Sequence, residues 1–181
     1  MARLVVLDRD GVINEESASH VRAPSEWHPI PGSMRAIGLL TQAGITVAVA
    51  SNQSGIGRGY FDRPALYAIH RKMRRHAGRE DGRIERIAFC PHTPGDNCAC
   101  RKPLPGMLYT LAAHAGTTTD EVCVVGDSER DIDAALAAGA RAVLVRSGNG
   151  RETEERLATR GICIEVHDDL LAFARAFIAE R

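Results

Sequence analysis

Short apolar runs rich in β-branched residues recur along the chain, separated by segments whose apolar positions repeat at helical spacing. The runs at residues 4–7, 46–50, 84–89, 122–125, 142–145 and 163–166 read as strands. Helices are expected around residues 34–42, 64–76, 105–115, 130–138, 152–160 and 170–179. Ser33 and Asp62 stand where N-caps belong, and Gly44, Gly78, Gly116 and Gly139 stand where helices stop. This alternation predicts an α/β fold with a doubly wound, mainly parallel sheet. In such sheets the ligand lies outside the carboxyl ends of the strands. Asp8, Ser51 and Asp127 each lie just past the end of a predicted strand, so one crevice should collect all three. Two irregular stretches, residues 14–32 and 90–105, also follow strand ends and should overhang that crevice. Neither is long enough for a separate cap domain, and residues 1–181 are read as one domain.

Composition narrows the picture. Lysine plus arginine number 23, as do aspartate plus glutamate, so the chain gives no electrostatic reason to expect nucleic acid or an anionic membrane as partner. Lys72 and Lys102 are the only lysines, which makes a lysine inside a motif worth inspecting. No apolar stretch approaches the roughly 18–20 residues of a membrane span, and the first strand begins at once where a secretory signal would need a long apolar core. A cytoplasmic monomer is the expectation.

The chemistry concentrates at the strand ends. The run 4–7 stops at Asp8, Arg9, Asp10 and Gly11, placing two acids one residue apart at the tip of a core strand. Burying both costs several kcal/mol unless something compensates, and a divalent cation with oxygen ligands, Mg²⁺, is the natural compensator. One such acid can attack phosphorus while the other gives a proton to the leaving oxygen. Asp127 ends the run 122–125 in the same manner and completes the set of acids; Asp131 follows one helical turn later. Ser51, with the free amides of the glycine-rich stretch after it, suits a phosphoryl oxygen. Lys102 is a compact charge for a transferring phosphoryl group, placed before a predicted helix, and its neighbour Arg101 offers a bidentate fork. Cys90, His92, Cys98 and Cys100 form Cys-x-His-x5-Cys-x-Cys, a closed tetrahedral set that reads as structural Zn²⁺ pinning the loop at about 90–105. Cys123 and Cys163 sit in apolar runs and read as core residues.

These motifs together resemble the haloacid dehalogenase (HAD) superfamily of phosphatases. The residues that carry the resemblance are Asp8-Arg9-Asp10-Gly11-Val12, Ser51-Asn52-Gln53, Lys102 and Gly126-Asp127. The resemblance implies that Asp8 is the nucleophile and Asp10 the general acid/base. It implies Mg²⁺ held by Asp8, Asp127 and the Asp10 carbonyl, with Ser51 and Lys102 stabilising the phosphoryl group. It extends to a branch with a zinc loop that acts on a small sugar bisphosphate, and there it implies substrate contacts at Arg9, Glu16, Ser17, Ala18, Ser19, Asn52, Gln53, Ser54 and Arg101. Arg58 is added on charge, as a partner for the second phosphate. In some relatives a lysine follows the metal aspartate, where this chain has Ser128. Two alternatives stay open: a phosphatase of histidinol phosphate, and a non-catalytic sugar-phosphate-binding protein.

Overall fold

The computed structural model describes residues 3–17 and 20–180. Ala18 and Ser19, expected at the substrate, lie outside the described residues. Six strands form one sheet: β1 (Leu4–Leu7), β2 (Thr46–Asn52), β3 (Arg86–Cys90), β4 (Val122–Gly126), β5 (Arg141–Val145) and β6 (Glu165–His167). Their order is β3-β2-β1-β4-β5-β6, and every neighbouring pair is parallel. The predicted doubly wound sheet is therefore present. Helices α1 (Ser33–Gln42), α2 (Ser54–Gly57), α3 (Arg63–Gly78), α4 (Gly106–His114), α5 (Glu129–Ala138), α6 (Gly150–Thr159) and α7 (Leu170–Ala179) complete the chain.

Strand alternation explains how one sheet carries two cores. Val5, Leu7, Val47, Val49, Cys123, Val125, Val143 and Val145 point to one face, where Ile37 and Leu40 of α1, Ile69 and Met73 of α3, and Phe173 and Phe177 of α7 cover them. Leu4, Val6, Ala48, Ala50, Val122, Val124, Ala142 and Leu144 point to the other, against Leu108 and Leu111 of α4, Ile132 and Ala135 of α5, and Leu157 of α6. Each fully buried leucine, valine or phenylalanine contributes about 1.5–3 kcal/mol, so the central strands are anchored on both sides. The chain passes from β1 to β2 and β3 on one side, then returns to β4 on the other. The switch point between β1 and β4 is thus where a ligand crevice opens.

Several boundaries differ from those read in the sequence. β2 runs two residues further, through Ser51 and Asn52, because both pair with β3; Ser51 lies within the strand, not beyond it. β6 falls at Glu165–His167, a half-buried edge strand, while apolar Cys163 stands outside it and is exposed. The α1 N-cap is Gly32, whose φ of 84° favours glycine. Ser33 is instead the first helical residue, and its hydroxyl donates to the Ile13 carbonyl at 2.7 Å, fastening the loop beneath the crevice. Asp62 caps α3 as expected, accepting from the Ala65 N–H at 2.8 Å. Lys102 precedes α4 by four residues and sits in a turn. Among the described residues no helix is long and apolar enough to cross a membrane.

Candidate active site

Asp8 extends β1 by one hydrogen bond, its N–H donating to the Val125 carbonyl at 2.9 Å, and its side chain enters the crevice. Lys102, 3 % exposed, reaches up between the strands. Its Nζ lies 2.8 Å from Asp8 Oδ1 and 2.5 Å from Asp131 Oδ1, and donates to the Ala50 carbonyl at 2.6 Å. Asp8, Asp127 and Asp131 each offer an oxygen, and the three oxygens lie within 4.8 Å of one another. Asp131, which the sequence left without a role, therefore belongs to this cluster.

Local backbone makes room for it. Ser128 caps α5 in a reciprocal box, its N–H and hydroxyl both donating to Asp131 Oδ2, so Asp127 is free of capping. Asp127 Oδ2 accepts from the Asn149 N–H at 2.9 Å. A Cβ on Gly11 would fall 2.0 Å from Asp127 Oδ2, and one on Gly148 would fall 2.3 Å from it. Both glycines have positive φ as well, so the Asp127 carboxylate occupies space that only glycine leaves.

The electrostatics set three acids, Asp127 and Asp131 buried and Asp8 partly so, against one ammonium. Burial, reinforced by Asp131 and Asp10 and opposed by Lys102, pushes the Asp8 carboxyl up to about 7. Burial, with Asp8 and Asp131 adding, pushes Asp127 up to about 8. Burial alone would lower Lys102, yet Asp131 and Asp8 hold it above the usual lysine range. Clustered carboxylates that resist ionising are a site for a hard divalent cation, which oxygen donors suit.

Asp10 is handled differently. Burial alone would raise its carboxyl, but Arg9 and two further hydrogen-bonding neighbours, Asn14 and Gln53, hold it below the usual range. Arg9, 1 % exposed, donates from Nη2 to both oxygens at 2.8 Å. Asn14 Nδ2 donates to Oδ1 and Gln53 Nε2 to Oδ2, each at 2.9 Å. Gln53 also donates to the Ser51 hydroxyl at 2.7 Å, tying β2 to the same group.

A cavity of about 590 Å³ opens over these groups. Arg9, Glu16, Ser17, Ser51, Asn52, Gln53, Ser54 and Arg101 line it along with the acids, whereas Arg58 is exposed and does not. The Asn52 amide also exchanges two hydrogen bonds with the Lys102 backbone, at 3.0 and 3.1 Å. His20, Arg130 and Asn149 line the cavity too, though no motif in the sequence marks them. Burial, then the charge of Arg130, lower Arg101, with Cys90 and Cys98 opposing and Arg58 adding, so Arg101 has cationic neighbours.

Cys90 ends β3, and a short turn at Pro94–Asp96 folds Cys98 and Cys100 back upon it. The Sγ atoms of Cys90 and Cys98, and of Cys98 and Cys100, lie 3.6 Å apart; His92 Nδ1 is 3.5 Å from Cys90 Sγ and 3.3 Å from Cys100 Sγ. Thiolates about 2.3 Å from a tetrahedral zinc would be spaced at roughly 3.7 Å, so this donor set fits zinc, with Nδ1 as the fourth ligand. Cys100 leads straight into Arg101, which donates to the His92 carbonyl at 3.2 Å, and then into Lys102.

A family model described as HAD-hydrolase-like matches residues 99–172. The chain is 47% identical over 176 residues to the D-glycero-beta-D-manno-heptose-1,7-bisphosphate 7-phosphatase of Pseudomonas putida, covering 97% of this chain and 99% of that one. A crystal structure of D,D-heptose 1,7-bisphosphate phosphatase from Bordetella bronchiseptica, complexed with magnesium and phosphate, matches at TM-score 0.93 and 47% identity over 99% of both chains. Another, from Burkholderia thailandensis, matches at TM-score 0.75 and 43% identity over 98% of this chain and 99% of that chain.

Proposed function

The chain belongs to the D-glycero-D-manno-heptose 1,7-bisphosphate 7-phosphatase family of HAD-like hydrolases, and from that premise we propose that it removes the C7 phosphate of the β-configured bisphosphate through Asp8. One observation carries the reading: Asp8, at the tip of a central strand, is flanked by Lys102 and by two further buried acids. The Asp8 carboxylate attacks phosphorus, the bond from phosphorus to the C7 oxygen breaks, and Asp10, entering the step protonated, gives that proton to the departing oxygen. Asp10 then takes a proton from water, which attacks the aspartyl-phosphate, releases inorganic phosphate and restores Asp8. The Asp8 and Asp127 carboxylates and the Asp10 carbonyl would hold Mg²⁺, which when bound would supply neutralising charge near the transferring oxygens. Lys102 and the Ser51 hydroxyl stabilise the same oxygens.

The second phosphate finds its counter-charge at the rim. Arg101 is partly buried, lines the cavity and has Arg130 and Arg58 as cationic neighbours, so it supplies positive charge for an anion there. Histidinol phosphate has no second phosphate, and this favours the bisphosphate over it. A role as a mere sugar-phosphate binder is disfavoured, since binding needs neither a nucleophile nor a proton donor. The zinc is structural, the 181 residues act as one domain, and the enzyme is a cytoplasmic monomer serving heptose supply for bacterial lipopolysaccharide core. The test compares kcat/KM for the two anomers of heptose 1,7-bisphosphate and for histidinol phosphate, with and without Mg²⁺. The β-bisphosphate should be the best substrate by at least about tenfold, with turnover dependent on Mg²⁺; equal or better use of histidinol phosphate would overturn the assignment.

A further inference from the structure

Asp10 has a hold on it that its neighbours in the crevice lack, and one member of that hold is itself fixed from outside the site. Asn14 is fully buried. Its Nδ2 donates to Asp10 Oδ1 at 2.9 Å and to the Glu15 carbonyl at 2.9 Å, while its Oδ1 accepts from the Trp27 indole N–H at 2.9 Å. An indole nitrogen only donates and a carboxylate only accepts, so a flipped Asn14 amide would face donor with donor and acceptor with acceptor. Trp27 therefore dictates that the amide hydrogens point at Asp10. Trp27 is also fully buried, and Lys72 of α3 fastens it, donating from Nζ to the Trp27 carbonyl at 2.8 Å and to that of Pro24 at 2.7 Å.

We infer that Asn14 is a positioning residue for the general acid, oriented by Trp27. Arg9 grips both carboxylate oxygens but belongs to the adjacent residue, so the anchors from elsewhere in the chain are Asn14 and Gln53. Asn14 on Oδ1 and Gln53 on Oδ2 come from separate segments and fix the plane of the carboxylate. Asn14 also bridges in the backbone to Asp10 and to Pro29, which places it where the loop crosses beneath the site. A hydrogen-bonded chain anchored on two fully buried residues, Asn14 and Trp27, aims one group, and general acid catalysis depends on that aim.

The inference rests on the acid role of Asp10, and its test separates the two. An alkyl phosphate such as the heptose bisphosphate needs a proton on its departing oxygen, whereas p-nitrophenyl phosphate, with a stable leaving anion, hardly does. Asp10→Asn is the reference: it should lower kcat/KM far more for the heptose bisphosphate than for the aryl ester, and an equal loss on both would refute the acid role itself. Asn14→Ala should lose about tenfold on the heptose bisphosphate and less than about twofold on the aryl ester, a fraction of what a general acid contributes. Trp27→Phe removes the N–H and keeps most of the ring packing; it should show the same selectivity at about threefold, and it decides the matter if Asn14→Ala fails to fold. With Asp10→Asn selective, parallel losses on both substrates in the Asn14 and Trp27 variants, or no loss on either, would show that Asn14 does not act through Asp10.

Discussion

The acid cluster draws Asp8, Lys102, Asp127 and Asp131 from stretches scattered over the chain, whereas all four Cys/His ligands fall within residues 90–100. The first cluster exists only when β1, β4 and the turn before α4 are in register, and a buried lysine offsets part of its like-charge repulsion. The second is local and contains no lysine or arginine among its donors, and its Cys/His set fits a metal ion that would hold it together. The two are joined covalently, because Cys100 is two residues from Lys102, and Asn52 at the end of β2 clamps the Lys102 backbone in place. The thiol loop thus does more than pin itself: it delivers the one lysine on which the acid cluster depends.

Removing the buried lysine should have the largest effect. Lys102→Met removes the ammonium from three clustered acids, and turnover should fall by about 10²–10³-fold in steady-state assays, in line with other losses of pre-organised charge. The metal-free variant should also unfold more readily than the wild type, by about 3–5 kcal/mol in denaturant titrations, because breaking a buried pair strands its partners.

Breaking the thiol loop comes next. Cys98→Ser should lose zinc, lower Tm by roughly 10 °C if a few kcal/mol of metal-coupled stability are lost, and reduce kcat by about tenfold as Lys102 loosens. Zinc loss with unchanged kcat in the folded fraction would sever the proposed link between the clusters.

Varying the pH gives the smallest effect. Asp8 and Asp127 sit at about 7 and 8 in the metal-free fold, against an unfolded value near 3.8. Their raised values mean that the fold binds protons the unfolded chain releases. Stability from these two groups is therefore fully present below about pH 4 and is lost as pH rises towards 8. Mg²⁺ takes the protons' place, so its stabilisation, read as the Tm gain on adding Mg²⁺, should be larger at pH 8 than at pH 6. A gain independent of pH would place the ion elsewhere.

The two clusters also differ in how far the sequence revealed them. The cysteine spacing is legible because its geometry is local, and apolar runs that stop at Asp8 and Asp127 are legible because core strands rarely end that way. Asp131 was visible one turn after Asp127, but its purpose depends on a lysine from another segment that only the folded sheet brings beside it. β2 looked complete at Ala50 because Ser51 and Asn52 are polar, though their backbones continue the ladder to β3. β6 was displaced onto Cys163 for the opposite reason, apolar residues drawing the strand towards a segment that stays outside it. Gly148 carries no motif at all, and only its closeness to Asp127 shows why a side chain there is excluded.

The central claim is that Asp8 forms a covalent bond to the transferred phosphoryl group. Rapid acid quenching of the enzyme during turnover of heptose 1,7-bisphosphate, followed by mass spectrometry of the peptide containing Asp8, tests it most directly. Covalent catalysis through Asp8 predicts a phosphoryl group on Asp8 that hydroxylamine removes, and an Asp8→Asn variant that folds but does not turn over. An unmodified Asp8 peptide at every quench time, together with appreciable turnover by Asp8→Asn, would contradict it.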